Sequence, residues 1–215
     1  MAAVRNLIER FDVSGTLEHF VQTTEQFGDD LERIWEESDN GAGLLWLAAA
    51  LDVDHHRLVA AACDLLEGVV EQVETVSSET IRVLETVRAW QQGKKSAEEV
   101  YQWGNDALAL VEGEDSDQIS LKEPWMDDVS EAAYWLSELV SAEAVALDEC
   151  AWECVDHLAH AIEMKVGWGN RLDEWPQESK LAYDEAEHRF ATTIRGQIPF
   201  AHLQEAARRC GLWPL

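Results

Sequence analysis

The sequence predicts an all-α fold: a single domain built as one antiparallel bundle of about eight or nine helices. Apolar residues recur at helical spacing in nearly every segment of the 215-residue chain. No segment alternates apolar and polar residues as a half-buried strand does. The connections between the periodic segments are short, which favours antiparallel neighbours in a helical bundle.

The first predicted helices lie in residues 15–69. The apolar residues of 15–37 are spaced mostly by threes and fours, which indicates one amphipathic helix. The short apolar run at 43–51 predicts a buried helix. Asp54 is placed to cap the next helix, whose apolar stripe extends from residue 58 to residue 69 and includes the small side chain of Cys63.

Two helices follow, and each has a recognisable end. Ser77 or Ser78 begins the first, and Gly93 can end it in a left-handed conformation. Ser96 and Glu99 have the spacing of a capping box at the start of the second.

The acidic segment 112–123 shows little periodicity and is the predicted loop, and Pro124 suits the first turn of the helix after it. Apolar spacing then continues from Met126 to Val166, as one long helix or as two helices broken near Ser141.

The last two predicted helices cover residues 178–195 and 200–210. Pro199 stands at the entry of the final helix and Gly211 at its exit.

Charge is the unusual property of the composition. Lys and Arg total 16 and Asp and Glu total 43, a formal net charge of −27. Direct binding to nucleic acid is not expected, because neutralising phosphates requires clustered Lys and Arg. Three explanations remain open: a surface for a basic protein partner, adaptation to a salty cytoplasm, or solubility.

The acidic residues are unevenly distributed. Residues 1–80 hold 17 acids and 4 bases, and residues 111–164 hold 15 acids and 1 base. Residues 81–110 and 165–215 are balanced. A uniformly acidic surface does not account for this division, which favours a surface that faces a partner.

The chain has no apolar run of about 18 residues, and its start lacks the basic-then-apolar pattern of a signal peptide. We therefore predict a cytoplasmic protein that does not enter a membrane, with its four cysteines as reduced thiols. No cofactor and no catalytic residue are predicted.

The segment "CAWECVDHLAH" at 150–160 is the strongest candidate for chemistry. Cys150, Cys154 and His157 fall on one side of a helix, with His160 about 60° further round. One interpretation is a buried stripe with two boundary histidines bonded to nearby acids. The alternative is a metal- or thiol-dependent helical enzyme, which needs another helix to supply a further ligand.

Ten tryptophans are many for a chain of this length. Five of them lie at core spacings of predicted helices and are expected to pack inside the bundle: Trp46, Trp90, Trp103, Trp135 and Trp152.

Acidic and aromatic residues outside the predicted core are the candidate contacts with a partner. Tryptophan and arginine contribute a large share of binding energy at protein interfaces. The predicted contacts are Asp115, Asp117, Asp127, Asp128, Trp168, Arg171 and Trp175.

Residues 82–110 carry a resemblance to a known family. A helix ends with Arg88, Trp90 and Gly93, and the next begins at Ser96 followed by Glu98 and Glu99. With Cys63 in the preceding alanine-rich helix, and His157 and His160 in a later one, residues 45–165 resemble a bacterial family of helical putative immunity proteins. The resemblance implies a non-catalytic protein that binds and neutralises a toxin.

Overall fold

Ten helices follow one another in a computed structural model that describes residues 4, 7–8, 18–28, 30–112, 123, 125–142, 146–168 and 177–212. The described residues contain no strand, so the predicted all-α class is confirmed, with more helices than the eight or nine expected. The helices are α1 (Glu18–Gln26), α2 (Leu31–Glu37), α3 (Gly41–Ala50), α4 (His55–Val73), α5 (Ser78–Gln91), α6 (Ala97–Glu112), α7 (Trp125–Ser141), α8 (Leu147–Gly167), α9 (Gln177–Gln197) and α10 (Phe200–Arg209).

The single helix predicted across residues 15–37 is wrong. The chain leaves α1 at Gly28, whose φ of 64° lies in the left-handed region that glycine tolerates. Asp30 then begins α2, where its carboxylate accepts the backbone N–H groups of Glu32 and Arg33. The apolar spacing continues through the break because both helices face the same core.

Other predicted helix ends are confirmed. Asp54 accepts the Arg57 N–H at the start of α4. Ser77, rather than Ser78, caps α5 through the Thr80 N–H. The Ser96 hydroxyl accepts from the backbone of Glu99, and the Glu99 carboxylate accepts from the backbone of Ser96, as in a capping box.

The long apolar region near the middle of the chain forms two helices, because α7 ends at Ser141 and α8 begins at Leu147. Gly93 has a positive φ angle, as predicted for the residue that ends α5, and Gly211 at the exit of α10 has one as well. The predicted loop at 112–123 and Pro124 lie almost entirely outside the described residues.

Helix α3 occupies the centre of the fold. All of its residues from Gly41 to Ala49 are buried, and it packs on α8 and α9. Helices α6, α7 and α8 each pack against the next, and α4 lies against α7, α8 and α9. Within the part of the chain that the structure describes, no helix combines the length and the hydropathy needed to span a bilayer.

The tryptophans only partly follow the prediction. Trp46 is buried, but Trp90, Trp103, Trp135 and Trp152 are half-buried and pack against the edge of the core. Two tryptophans that were not assigned to the core, Trp35 and Trp125, are buried within it.

Gly104 allows α6 and α7 to approach each other closely, and this can be tested. A Cβ atom at Gly104 would lie 1.7 Å from the Ser137 Oγ and 2.5 Å from its Cβ. We expect Gly104→Ala to lower the free energy of unfolding by about 1–3 kcal/mol through overpacking, as measured by urea denaturation.

Gly68 provides the matched control. It lies within α4, and a Cβ atom added there would have no neighbouring atom within 4 Å. Gly68→Ala should therefore raise stability by about 0.5–1 kcal/mol, because alanine favours the helix. Equal effects of the two substitutions would contradict the close approach at Gly104.

Candidate functional site

The two cysteines of the "CAWECVDHLAH" segment face the interior. Cys150 and Cys154 are buried on α8, and the Cys154 thiol donates to the backbone oxygen of Ala132 at 3.4 Å. Burial raises the pKa of the Cys150 thiol to about 12 and raises the pKa of Cys154 as well. Both thiols therefore favour the protonated form in this buried setting.

His157 lies outside this core stripe and is surrounded by carboxylates. Its Nδ1 is 3.2 Å from Asp128 Oδ1, and its Nε2 is 3.0 Å from Glu131 Oε2 and 3.8 Å from Glu153 Oε2. We call these three carboxylates together with His157 the acidic seam, because they join the surfaces of α7 and α8. Burial lowers the pKa of His157, but the bond to Asp128 and the charges of Glu131 and Glu153 outweigh it, and the net pKa is raised.

His160 has separate acidic partners on the same helix. Its ring nitrogens lie 3.1 Å from Glu163 Oε2 and 3.6 Å from Asp156 Oδ2. The prediction of two boundary histidines bonded to acids is thus confirmed.

The structure does not gather Cys150, Cys154, His157 and His160 around one point. The thiols pack in the core, while each imidazole contacts its own carboxylates. Among the residues that the structure describes, no group of three or more His, Cys, Asp or Glu side chains is arranged to hold a metal ion.

Of the predicted partner contacts, three can be placed. Asp127 and Asp128 lie in the first turn of α7, and Asp128 belongs to the acidic seam. Trp168 directly follows α8 with 55% of its surface exposed, and its ring meets that of Trp125 edge-on at 6.2 Å. The other predicted contacts lie outside the described residues: Asp115, Asp117, Arg171 and Trp175.

Helices α7 and α8 concentrate negative charge. Helix α7 has four acidic residues and no Lys or Arg. Helix α8 has five acidic residues and a single base, Lys165. The Lys165 ammonium donates to the backbone oxygen of Gln72 on α4, so the single Lys or Arg side chain of this helix pair is directed to a backbone carbonyl.

The residues that carry the family resemblance have partners inside the fold. The Arg88 guanidinium donates to Asp64 at 2.6 Å and also to Glu67, which ties α5 to α4. The Trp90 ring stacks on His56 with a centroid distance of 4.6 Å. Both residues stabilise the packing of α5 on α4.

Of the three carboxylates in the acidic seam, the sequence indicates only Glu153 as a partner of His157. Glu153 precedes His157 by four residues, a spacing that places them together on a helix. Asp128 and Glu131 reach His157 only through the packing of α7 on α8, for which the sequence offers no signal.

The fold and the seam define the chain as an all-α protein with an acidic helix pair. Comparison with protein-family models, curated proteins and solved structures finds no significant match to it.

Proposed function

We propose that the protein is a non-catalytic binding protein that neutralises a basic protein partner, in the manner of an immunity protein. The observation that carries this proposal is the concentration of carboxylates on α7 and α8 beside a single lysine. The resemblance of residues 45–165 to helical immunity proteins points to the same class.

The acidic seam is a suitable contact for a basic side chain. The side chains of Asp128, Glu131 and Glu153 are 23–30% exposed, so they are fixed by the fold and still accessible at the surface. A partner's Lys or Arg competes with His157 for them, and a partly buried ion pair gains more energy than a fully solvated one.

Long-range attraction adds to this contact. A net charge of −27 draws a basic protein towards the surface, and such steering raises association rates by about tenfold to a thousandfold at low salt. Salt screens the attraction because the Debye length shortens.

The test begins with affinity capture of the partner from cells that carry the gene, followed by association measurements with the purified partner. We expect the association rate to fall at least about tenfold between about 50 mM and 500 mM NaCl. The triple variant Asp128→Asn, Glu131→Gln, Glu153→Gln should also slow association at low salt and weaken its salt dependence.

A matched triple variant, Glu71→Gln, Glu85→Gln, Glu98→Gln, removes three exposed carboxylates from α4, α5 and α6. It changes the net charge by the same amount and should retain most of the association rate. Equal effects of the two triple variants, or an association rate indifferent to salt, would refute the seam as the binding surface.

A further inference from the structure

A cavity of about 880 Å³ opens between α8 and α9, next to the start of α3. Its walls include Asn40 before α3, His160 and Glu163 on α8, and Tyr183 and Glu187 on α9. Cavities of this size accommodate small organic ligands. The cavity is distinct from the acidic seam, since none of the seam residues lines it.

Glu187 is the buried polar group of this cavity. The residue is only 4% exposed, and its Oε2 accepts the Ala42 N–H of α3 at 3.1 Å. Its other oxygen, Oε1, is buried without a hydrogen-bond partner among the described residues. An unpaired buried carboxyl oxygen costs free energy, so its retention needs a reason.

The walls around Glu187 carry an excess of negative charge. Five carboxylates line the cavity, against the two bases Lys180 and Arg189. Two of the five already have imidazole partners: Asp39 lies 2.7 Å from His188, and Glu163 lies 3.1 Å from His160. The lining carboxylates are Asp39, Glu163, Asp184, Glu185 and Glu187.

Tyr183 adds an aromatic ring to the same wall. Its hydroxyl is held in place by donating to Asp156 Oδ1 at 2.8 Å, and its ring lies 5.1 Å from that of His160. Aromatic rings beside carboxylates favour organic cations, because the ring face attracts positive charge.

We propose that this cavity binds the ammonium or guanidinium group of an organic cation, with the Glu187 carboxylate as its counter-ion. An anion would meet the carboxylates of Asp39, Glu163, Asp184 and Glu185, and a bare metal ion would leave most of the volume empty. The cation has two possible sources, a free small amine or a Lys or Arg side chain of a protein partner. The second source rests on the proposed function, whereas the first does not.

Binding is coupled to the release of a proton. Burial raises the pKa of Glu187 to about 8, against the lowering effect of the Ala42 and Gly41 N–H groups. The carboxyl is therefore neutral at pH 7, and a cation must displace its proton. Affinity should rise with pH by up to about tenfold per unit until about pH 8.

Charged groups on the neighbouring elements affect this coupling. Asp156 on α8 and Asp184 on α9 both favour the protonated form of Glu187. The other titratable or charged groups around the cavity are Asp39, His160, Glu163, Lys180, Tyr183, Glu185, His188 and Arg189.

Calorimetric titration with agmatine, which has both a guanidinium and an ammonium group, tests the site. We expect saturable binding at pH 8, weaker binding at pH 6, and none with the neutral probe 1-butanol. Glu187→Gln should weaken agmatine binding at pH 8 by at least about thirtyfold, because the ligand's charge is left without its counter-ion. Glu185→Gln, which removes an exposed lining carboxylate, should change affinity by less than about threefold.

A second variant tests the same site independently, in case Glu187→Gln does not fold. Leu181 lines the cavity and is half exposed, so Leu181→Arg should leave the fold intact and place a competing guanidinium at the site. We expect it to abolish agmatine binding. Wild-type binding in both variants, or no binding by the wild type, overturns the proposal.

Two further measurements identify the source of the cation and distinguish the cavity from the acidic seam. Tighter binding of N-acetyl-lysine methylamide than of agmatine assigns the site to a partner's side chain, and the reverse order assigns it to a free amine. The triple variant of Asp128, Glu131 and Glu153 should bind agmatine as the wild type does. Failure of the seam as a partner surface therefore leaves the cavity test unaffected.

Discussion

Trp46→Ala is expected to lower the free energy of unfolding by about 3–5 kcal/mol, the cost of emptying a large buried aromatic site. Trp46 is 1% exposed and lies on α3, the helix that α8 and α9 enclose. Its ring meets Phe20 edge-on at 5.9 Å, and its indole N–H donates to Asp148 Oδ2 at 3.3 Å. Equilibrium unfolding in urea, followed by circular dichroism, measures the loss.

Two companion variants separate packing from hydrogen bonding. Asp148→Ala keeps the ring but removes the acceptor of the buried indole N–H, which should cost about 1–3 kcal/mol. Trp168→Ala removes a tryptophan that is largely exposed and should cost less than about 1 kcal/mol. A loss of unfolding free energy in Trp46→Ala no larger than that in Trp168→Ala would contradict the placement of α3 at the centre of the fold.

Helix ends could be predicted because their chemistry is local. Asp54, Ser77 and the pair Ser96 and Glu99 each bond to backbone groups within three residues. Gly93 likewise ends a helix through its own φ angle. These signals need no information about the rest of the fold.

Apolar periodicity does not reveal the division between α1 and α2, because it reports which face of a segment is buried and not whether the helix axis is continuous. Phe20 on α1 and Ile34 on α2 are both buried in the core. The apolar spacing therefore continues across the break as it would along one helix. Gly28 and Asp30, the residues that turn the chain, were present in the sequence as a break signal.

Burial depth is a further property that periodicity does not determine. Trp46 and Trp90 both occupy apolar positions of helices, yet Trp46 is enclosed in the core while Trp90 covers His56 at the edge of the bundle. Depth depends on how many neighbouring elements lie over a residue, which is a tertiary property.

Both candidate sites depend on contacts between residues distant in sequence. In the acidic seam, His157 meets Asp128 across 29 residues. At the cavity, Glu187 meets the Ala42 N–H across 145 residues. The sequence identified His157 as a boundary residue, but Glu187 is one glutamate among many until α3 and α9 are brought together.

The close approach of α3 and α9 explains why Glu187 is buried. A Cβ atom at Gly41 would lie 2.6 Å from Phe190 Cβ and 3.1 Å from the Glu187 backbone oxygen. Only glycine allows α9 to lie this near to the start of α3. The Glu187 side chain is then enclosed beside the backbone N–H groups of the α3 N-terminus, where negative charge is stabilised but solvent is excluded.

Glu187→Gln is expected to make the protein more stable than the wild type, with a gain at pH 8 that exceeds the gain at pH 4 by up to about 5 kcal/mol. Glutamine has nearly the shape of the protonated acid and does not ionise. The comparison is made by urea denaturation of both proteins at a series of pH values.

The direction follows from the pKa of Glu187 in the two states. The pKa rises from an ordinary value of 4.5 to about 8 in the folded protein. Below about pH 4 both states of the wild type hold the proton, so the residue adds no pH dependence there. Between those two pKa values the unfolded chain releases the proton while the folded protein retains it, so wild-type stability falls by about 1.4 kcal/mol per pH unit.

The remaining carboxylates titrate in both proteins, so only the difference between the two curves reports on Glu187. That difference should grow across the window from about pH 4.5 to about pH 8 and level off above it, where Glu187 is ionised in both states. Glu185→Gln, which alters an exposed carboxylate two residues away, should run parallel to the wild type. A difference that is flat with pH would mean that Glu187 is ionised in the folded protein, and the proton release proposed for the cavity would then be excluded.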